Sequence, residues 1–300
     1  MWQDISNSEI TQEEKEKLIA EKFQSLTIKD DFMFCQVMQD EAICTKVLNI
    51  LLQDYFKIGK IKLAKSQATI KNHPELKFVR LDVLAIDEAG NSYDIEMQVV
   101  NQRNIEKRMR AYQVAIDMFK MQKGMEYNEL TNTIIIFITP FDPFDAGLPV
   151  YFFEFCSNTY NTNVKMSDGT YRVVFNTSAY KNVKDAKLRE LLKFFDTGKA
   201  TMDVTKEMKM KVSTIKKDSI IFSQFFSTFA SMMDARKDGR DEGWLEGKKA
   251  GIAEGKKAGR EEGSYEAKIE TAKKLLNMGL TLENISIATG LAKEKIETLK

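Results

Sequence analysis

Apolar and polar positions along the first half of the chain follow helical and strand periods in turn. Apolar residues at helical spacing predict helices over 10–23 and 40–56, with Asp40 as the N-cap of the second. Period-two alternation then predicts three strands, over 61–70, 79–87 and 92–100. Because only the short polar stretch EAGN separates the last two strands, the pattern predicts a β-hairpin there.

The pattern next predicts a crossover between parallel strands. A helix over 103–122 follows the hairpin, and the apolar run TIIIFIT at 133–139 has the composition of a buried strand. Strand, helix and strand within about forty residues indicate a parallel pair joined by the helix. The body continues with two strands and further helices, over 151–157, 170–177 and from 184 to about 232. These elements predict an α/β fold with a mixed sheet.

Glycine occupies every fourth position from 239 to 263, in the run GRDEGWLEGKKAGIAEGKKAGREEG. It costs about 1 kcal/mol relative to alanine in a helix interior, so seven in one row require a reason. Close helix–helix contact through small residues is one reason, and it predicts self-association. A flexible charged linker is the alternative interpretation. The pattern thus separates a body over 1–232, a repeat over 233–263 and a helical segment over 264–300.

The final segment has the spacing of three short helices, broken at Gly279 and Gly290. Thr281 is the predicted N-cap of the second helix, and Ile285 and Ala288 are predicted to be buried. This order is that of a helix-turn-helix unit, although its last helix is short. DNA contact and packing against another chain both fit the pattern.

Composition places the chain among soluble globular proteins, with 43% hydrophobic and 30% charged residues. Its net charge of +1 means that a nucleic-acid partner must be held by a local basic surface and not by the overall field. No apolar run reaches the ~18 residues of a membrane span. The polar, acidic start MWQDISNSEITQEEKEK is unlike a signal peptide. We therefore expect a cytoplasmic protein without membrane contact.

Cysteine and histidine usage excludes several kinds of site. Cys35, Cys44 and Cys156 match no zinc or disulfide spacing and lie in apolar surroundings, which predicts buried thiols in a reducing compartment. The single histidine, His73, precedes Pro74 and is predicted to lie in a loop. One histidine excludes His-rich zinc sites and most histidine-based triads.

The hairpin carries the candidate chemistry. With its loop centred on Ala89, opposed residues have numbers that sum to 178, so Asp82 faces Glu96 and Arg80 faces Gln98. Opposed Cβ atoms lie about 4.5–5.5 Å apart, which allows two carboxylates to bind one Mg²⁺ at about 2.0–2.1 Å. Gln98 points to the same side and is predicted to orient water or contact phosphate. A solvated hairpin face is the alternative interpretation of the same alternation.

The helix after the hairpin adds basic and aromatic side chains. Arg108, Tyr112 and Lys120 lie near one helix face, beside Gln113, and are predicted to support the site or contact phosphate. The alternative is a solvated basic face with Tyr112 packed on the sheet.

These residues carry a family resemblance. The runs LTIKDDFMFCQVMQDEAICTKVLNILL, VRLDVLAIDEAGNSYDIEMQ and EKRMRAYQVAIDMF resemble the PD-(D/E)xK nuclease-family transposases, also called recombination-promoting nucleases, over about residues 26–140. The resemblance implies a restriction-endonuclease-like core of helix, three strands, helix and strand, in which helices flank a mixed β-sheet. A helical C-terminal tail follows.

The resemblance also implies roles for individual residues. Asp82 and Glu96 match the metal-binding acids, and Gln98 stands where most such nucleases have lysine. Arg108 and Tyr112 match a basic-aromatic signature on the following helix. Glu41 on the early helix corresponds to a supporting acidic residue of some relatives. The implied cofactor is Mg²⁺, with Mn²⁺ as an alternative.

The implied activity is magnesium-dependent DNA endonuclease chemistry in a bacterial protein of mobile elements, recombination or phage defence. The missing lysine keeps a second interpretation open. In that interpretation the chain is a weak or inactive nuclease fold that binds DNA or a protein and forms an oligomer through its C-terminal tail.

Overall fold

The computed structural model describes residues 11–70, 79–159 and 164–299. His73 lies outside the described residues. Between Thr228 and Phe229 the chain divides into two compact units. No helix in the described ranges is both long and apolar enough to cross a membrane.

The elements follow the predicted order, with several differences in their bounds. The helices are α1 (Gln12–Ser25), α2 (Asp31–Met38), α3 (Glu41–Leu52), α4 (Ile105–Lys120), α5 (Ala186–Thr197), α6 (Asp203–Ile215), α7 (Ser219–Asn277), α8 (Leu282–Thr289) and α9 (Lys293–Glu297). The strands are β1 (Ile61–Ile70), β2 (Val79–Asp87), β3 (Ser92–Met97), β4 (Thr133–Thr139), β5 (Val150–Phe153), β6 (Cys156–Ser157), β7 (Val164–Lys165) and β8 (Thr170–Asn176).

A short helix that the sequence pattern did not predict, α2, precedes the predicted helix α3. Asp40 is the N-cap of α3, as predicted, and its carboxylate accepts hydrogen bonds from the N–H groups of Ala42 and Ile43 at 3.2 Å. The preceding α2 was not predicted. Six of its eight residues are buried, so it lacks the polar face that makes a helix visible in a periodicity pattern.

The main sheet is mixed, which confirms the predicted fold class. Its strand order is β1-β2-β3-β4-β8-β5. β1, β2 and β3 are antiparallel neighbours, while β3, β4 and β8 run parallel. The predicted crossover is therefore correct, since α4 joins β3 to β4. Met109 and Ile116 of α4 pack with Leu84, Ile135 and Phe137 of the sheet in one buried cluster.

The β2–β3 register is the predicted one. Val83 pairs with Ile95 and Leu84 with Asp94, so paired numbers sum to 178. Asp87 organises the connecting turn: its carboxylate accepts from the N–H groups of Ala89 and Asn91, from Asn91 Nδ2 and from Tyr93 Oη, at 2.9–3.0 Å. Gly90 supplies the left-handed backbone of the turn, at φ 83°.

The predicted strand over 151–157 is split in two. β5 ends at Phe153 and belongs to the main sheet, whereas β6 pairs with β7 in a separate two-stranded ribbon. Cys35 and Cys44 are buried as predicted, but the prediction for Cys156 was wrong. Cys156 lies in β6, and both strands of this ribbon are exposed.

The C-terminal unit contains the glycine row and the last helices. The row lies inside α7, which is one continuous helix, and a Cβ at any of its seven glycines would meet nothing within 4 Å. The first predicted short helix is the end of α7. Ala272 of α7 packs with Ile285, Leu291 and Ile296 in a small buried cluster.

Two details of the predicted second short helix can be compared with α8. Thr281 is its N-cap, as predicted, and its side chain accepts from the N–H of Asn284 at 3.4 Å. Ala288 was predicted to be buried but is exposed. The next residue, Thr289, is buried instead, and its hydroxyl donates back to the Ile285 carbonyl at 2.7 Å.

Asp87→Ala is expected to destabilise the unit that ends at Thr228 by about 2–4 kcal/mol, because it leaves several hydrogen-bond donors of the turn without their acceptor. Urea unfolding followed by circular dichroism measures this loss. Glu88→Ala, an exposed neighbour in the same turn, is the control and should change stability by less than about 0.5 kcal/mol. Equal stability of the two variants would show that Asp87 does not hold the turn.

Candidate active site

The two predicted acids meet where the β2–β3 ladder ends. The last paired residues are Val83 and Ile95. Beyond them, side chains replace the backbone bonds: the N–H of Asp82 donates to Glu96 Oε1 at 2.7 Å, and the N–H of Met97 donates to Asp82 Oδ2 at 3.1 Å. These reciprocal bonds hold the carboxylates side by side and leave Asp82 Oδ1 and Glu96 Oε2 outside the hairpin bonding.

Both carboxylates are withdrawn from water. Glu96 is 2% exposed, and Asp82 is half-buried. Burial raises the pKa of Asp82 to about 6, since the charged form loses hydration. Burial, followed by the charge of Asp82, raises the pKa of Glu96 to about 8. The interpretation of this face as a solvated hairpin surface was therefore wrong.

Asp94 is a third acid on the same face, and the sequence interpretation missed it. It is fully buried, and neither carboxylate oxygen has a hydrogen-bond partner among the residues that the structure describes. Burial, followed by the charges of Glu96 and Asp82, raises the pKa of Asp94 well above its usual range. Its position two residues before Glu96, on the same strand face, was the available signal.

Arg108 of α4 brings a positive charge to the acids. Its Nη2 donates to Glu96 Oε2 at 3.2 Å and to Tyr112 Oη at 2.8 Å, and its Nη1 donates to Gln98 Oε1. The guanidinium carbon lies 5.2 Å from the centroid of the Phe137 ring. Gln98 is held in turn by a bond from its Nε2 to the Val100 carbonyl at 2.6 Å. With Asp82, which is bonded to Glu96, five of the predicted site residues are thus in one network.

The network opens into a cavity of about 460 Å³. Lys29, Asp31 and Arg80 line it together with Asp82, Glu96, Gln98 and Arg108. Lys29 and Asp31 were also missed. Asp31 is the first residue of α2. Because that helix was not predicted, the position of Asp31 beside the site was not predicted either.

Three predicted residues lie away from this network. Gln113 is buried further along α4, where its Nε2 donates to Asp117 at 3.1 Å. Lys120 donates to the Thr131 and Asn132 carbonyls, near the last turn of the same helix. Glu41 is the exposed first residue of α3 and does not line the cavity, whereas Asp31 does.

The donor set fits a magnesium or manganese ion bound largely through water and substrate. Among the described residues, no group of three His, Cys, Asp or Glu side chains is placed to hold a metal. Mg²⁺ keeps several waters and is commonly bound by one or two carboxylates together with substrate phosphates. Asp82 Oδ1 and Glu96 Oε2 provide two such carboxylate oxygens at the cavity.

The raised pKa values predict a pH effect on stability. A carboxyl whose pKa is higher in the folded than in the unfolded state contributes stability that is lost as pH rises through the folded value. Glu96→Gln keeps the acceptor for the Asp82 N–H but removes this ionisation. In the presence of chelator, the variant should gain stability over wild type between pH 5 and 8, on the order of 3 kcal/mol at pH 8.

Urea unfolding of both proteins at matched pH values, with EDTA present, measures this difference. Glu106→Gln, an exposed glutamate of α4, is the control and should show no such trend. A constant difference between Glu96→Gln and wild type across this pH range would contradict the assigned burial of Glu96.

Comparison with known proteins agrees with this geometry. The family described as PD-(D/E)XK nuclease family transposase matches residues 29–238, which is more than two thirds of the chain. Neither a curated protein nor a solved structure matches. The matched range includes the sheet, α4 and every residue of the cavity. The chain belongs to the PD-(D/E)XK nuclease family transposases.

Proposed function

We propose that this protein is a metal-dependent DNA endonuclease that hydrolyses phosphodiester bonds at the Asp82–Glu96 site. Membership of the family supports a nuclease-type function. The observation that carries the finer proposal is the buried carboxylate pair, which shares one network with Arg108 and Gln98. A hairpin that needed only stability would not bury two adjacent acids, since their mutual repulsion and lost hydration both oppose folding.

Each side chain has a role in this proposal. Asp82 and Glu96 would hold Mg²⁺ or Mn²⁺ through the oxygens that the hairpin does not use. A divalent cation in such a site lowers the pKa of water and neutralises charge on the phosphodiester. Gln98 would orient water or the scissile phosphate through its amide, and Tyr112 would fix the guanidinium of Arg108.

Arg108 is the proposed substitute for the lysine that most PD-(D/E)xK nucleases carry at the position of Gln98. Its Nη1 donates to Gln98 Oε1, so the positive charge reaches the expected place from α4 and not from the residue that follows β3. An arginine presents a planar fork of donors that suits phosphate oxygens. Substrate binding would transfer these donors from Glu96 and Gln98 to the phosphate, and would leave Glu96 Oε2 available to the cation.

DNA binding by a chain of net charge +1 requires a local basic surface. Lys29, Arg80 and Arg108 all line the cavity and would supply it. We place the activity in the cytoplasm of a bacterium, in mobile-element transfer, recombination or phage defence, as the family resemblance implies.

A binding module without catalysis is the second candidate. The observation that favours it is the ion pair of Arg108 with Glu96, because this pair occupies one of the two oxygens that a cation needs. If that pair persisted with substrate bound, the cavity would hold DNA through its cations and cleave nothing.

Nicking of supercoiled plasmid DNA distinguishes the two candidates. The wild type should nick with Mg²⁺ or Mn²⁺ and not with EDTA. Asp82→Asn and Glu96→Gln should abolish nicking, and Arg108→Met should reduce its rate about 10²–10³-fold, through lost charge stabilisation. Arg108→Lys should recover part of the loss.

Lys107→Met is the matched control for Arg108→Met, because it removes one exposed positive charge from the adjacent position of α4. It should nick at nearly the wild-type rate. A wild type that binds plasmid but never nicks it with either metal would favour the binding module. Nicking by Glu96→Gln at the wild-type rate would remove this site from the chemistry.

We also propose that α7 associates with a second copy of itself. The residues before the glycines of the row are mostly acidic, namely Asp238, Glu242, Glu246, Glu254 and Glu262. The residues after the glycines are mostly basic, namely Arg240, Lys248, Lys256 and Arg260. In a helix these neighbours lie about 100° to either side of the glycine row. The row thus has an acidic flank and a basic flank.

This arrangement favours a parallel pair. When two parallel helices face each other through the glycine row, the acidic flank of one lies beside the basic flank of the other. An antiparallel pair would place like charges together, and flanking charges of this kind set helix orientation in coiled coils. The open space beside the glycines at the contact would then be filled by the partner helix.

Cysteine crosslinking in the Cys156→Ser background tests both association and orientation. Gly251→Cys and Gly255→Cys, about 40° apart on the helix, should each form a disulfide dimer with itself if the helices are parallel and in register. An antiparallel pair would instead link one variant only to the other. Ala253→Cys, about 200° from the preceding glycine, is the control that should not crosslink. Monomeric protein by light scattering would contradict the association.

A further inference from the structure

A second cavity, of about 290 Å³, lies on the same sheet face as the acids, on the other side of α4. Arg172 and Thr170 of β8, Phe153 of β5, and Glu106 and Met109 of α4 line it. Arg108 points from the same helix into the acidic site. The first turns of α4 thus separate the two cavities.

Aromatic rings form much of its wall. Phe144, Phe153 and Phe155 all line it, and Phe153 and Phe155 are 42% and 49% exposed. The rings of Phe144 and Phe153 pack edge to face at 5.2 Å between centroids. Exposed aromatic rings in one cavity form a surface on which a flat apolar group can stack.

Arg172 adds a cation and an unsatisfied donor. Its guanidinium lies 5.4 Å from the centroid of the Phe155 ring. Its Nε is buried without a hydrogen-bond partner among the described residues, which is costly unless a ligand supplies an acceptor. The cavity therefore offers stacking and a donor in the same place.

Carboxylates at the edge of the cavity decide between kinds of ligand. Glu106 and Glu154 both line it, and Glu154 is paired with Lys165 at 2.6 Å. These acids oppose a phosphate group but can accept hydrogen bonds from ring N–H or amino groups. A flat aromatic ligand with both acceptors and donors, and without negative charge, suits this lining. A nucleobase has those properties.

The distance to the acidic site fits one nucleic-acid strand. Glu96 pairs with Phe137 and Phe137 with Val174, so Arg172 lies two strands across and two residues back from Glu96. Strand spacings of about 4.8 Å and rises of about 3.3 Å place their Cα atoms about 12 Å apart. A stacked strand advances about 3.4 Å per nucleotide, so this gap corresponds to three or four nucleotides.

We propose that this cavity binds an unpaired nucleobase, a few nucleotides from the scissile phosphate, by stacking on Phe153 and Phe155 and bonding to Arg172. The inference rests on the proposed nuclease function. The substrate would be DNA whose bases are unpaired near the bond that is cleaved. A duplex with all bases paired would leave the cavity empty.

Binding without cleavage tests this inference separately from the chemistry. Fluorescence anisotropy with EDTA would measure the Kd of a labelled single-stranded 12-mer for the full chain. Phe155→Ala and Arg172→Met should each weaken binding about 5- to 100-fold, as expected for loss of one base-stacking contact. Phe119→Ala removes a ring that is 62% exposed on α4 and should leave Kd unchanged.

An abasic scan of the same oligonucleotide supplies the second measurement. Wild-type affinity should fall when one particular base is removed, and Phe155→Ala should be insensitive to that removal. Unchanged Kd in both cavity variants would overturn the inference and point to a different ligand, such as an apolar peptide side chain. Loss of plasmid nicking alone, with base-dependent binding intact, would count against the proposed nuclease function and not against this cavity.

Discussion

The site depends on burying a row of carboxylates beneath a helix. Asp82, Asp94 and Glu96 share the sheet face that α4 covers, and moving such groups out of water costs several kcal/mol for each ion. Two reciprocal bonds to backbone N–H groups and one arginine offset part of this cost. The cost that is not offset raises the pKa values of the acids, and a cation near them would stabilise their charged forms.

The position of the positive charge in the site is determined by the packing of α4 and not by the strand that carries the acids. Arg108 reaches Glu96 and Gln98 only because Met109 and Ile116 fix α4 against the sheet. In the lysine-containing pattern the cation shares a strand with the acid, so its position follows from strand geometry alone. Here the position of the charge depends on the fit of a hydrophobic core, which couples core packing to the electrostatics of the cavity.

Sequence reasoning recovered what depends on local periodicity. The hairpin register follows from alternation and loop length, which together place Asp82 opposite Glu96. Periodicity could not reveal α2, which is apolar on most sides, and so it missed Asp31. Nor could it indicate that both faces of β3 are covered. Because they are, Asp94 is a buried carboxyl group and not a surface acid. The exposure of Cys156 depends on which strands join the main sheet, and tertiary structure determines this.

The turn held by Asp87 has an evolutionary consequence. Most hairpin loops on a protein surface tolerate insertions and deletions, because their length affects only local structure. In this hairpin, if the turn keeps its present length, one residue added or lost between the acids would shift the strand pairing by one residue and turn one of the two acids to the other side of the sheet. Relatives that keep the site should therefore vary this loop in sequence but change the number of residues between the two acids only by even steps.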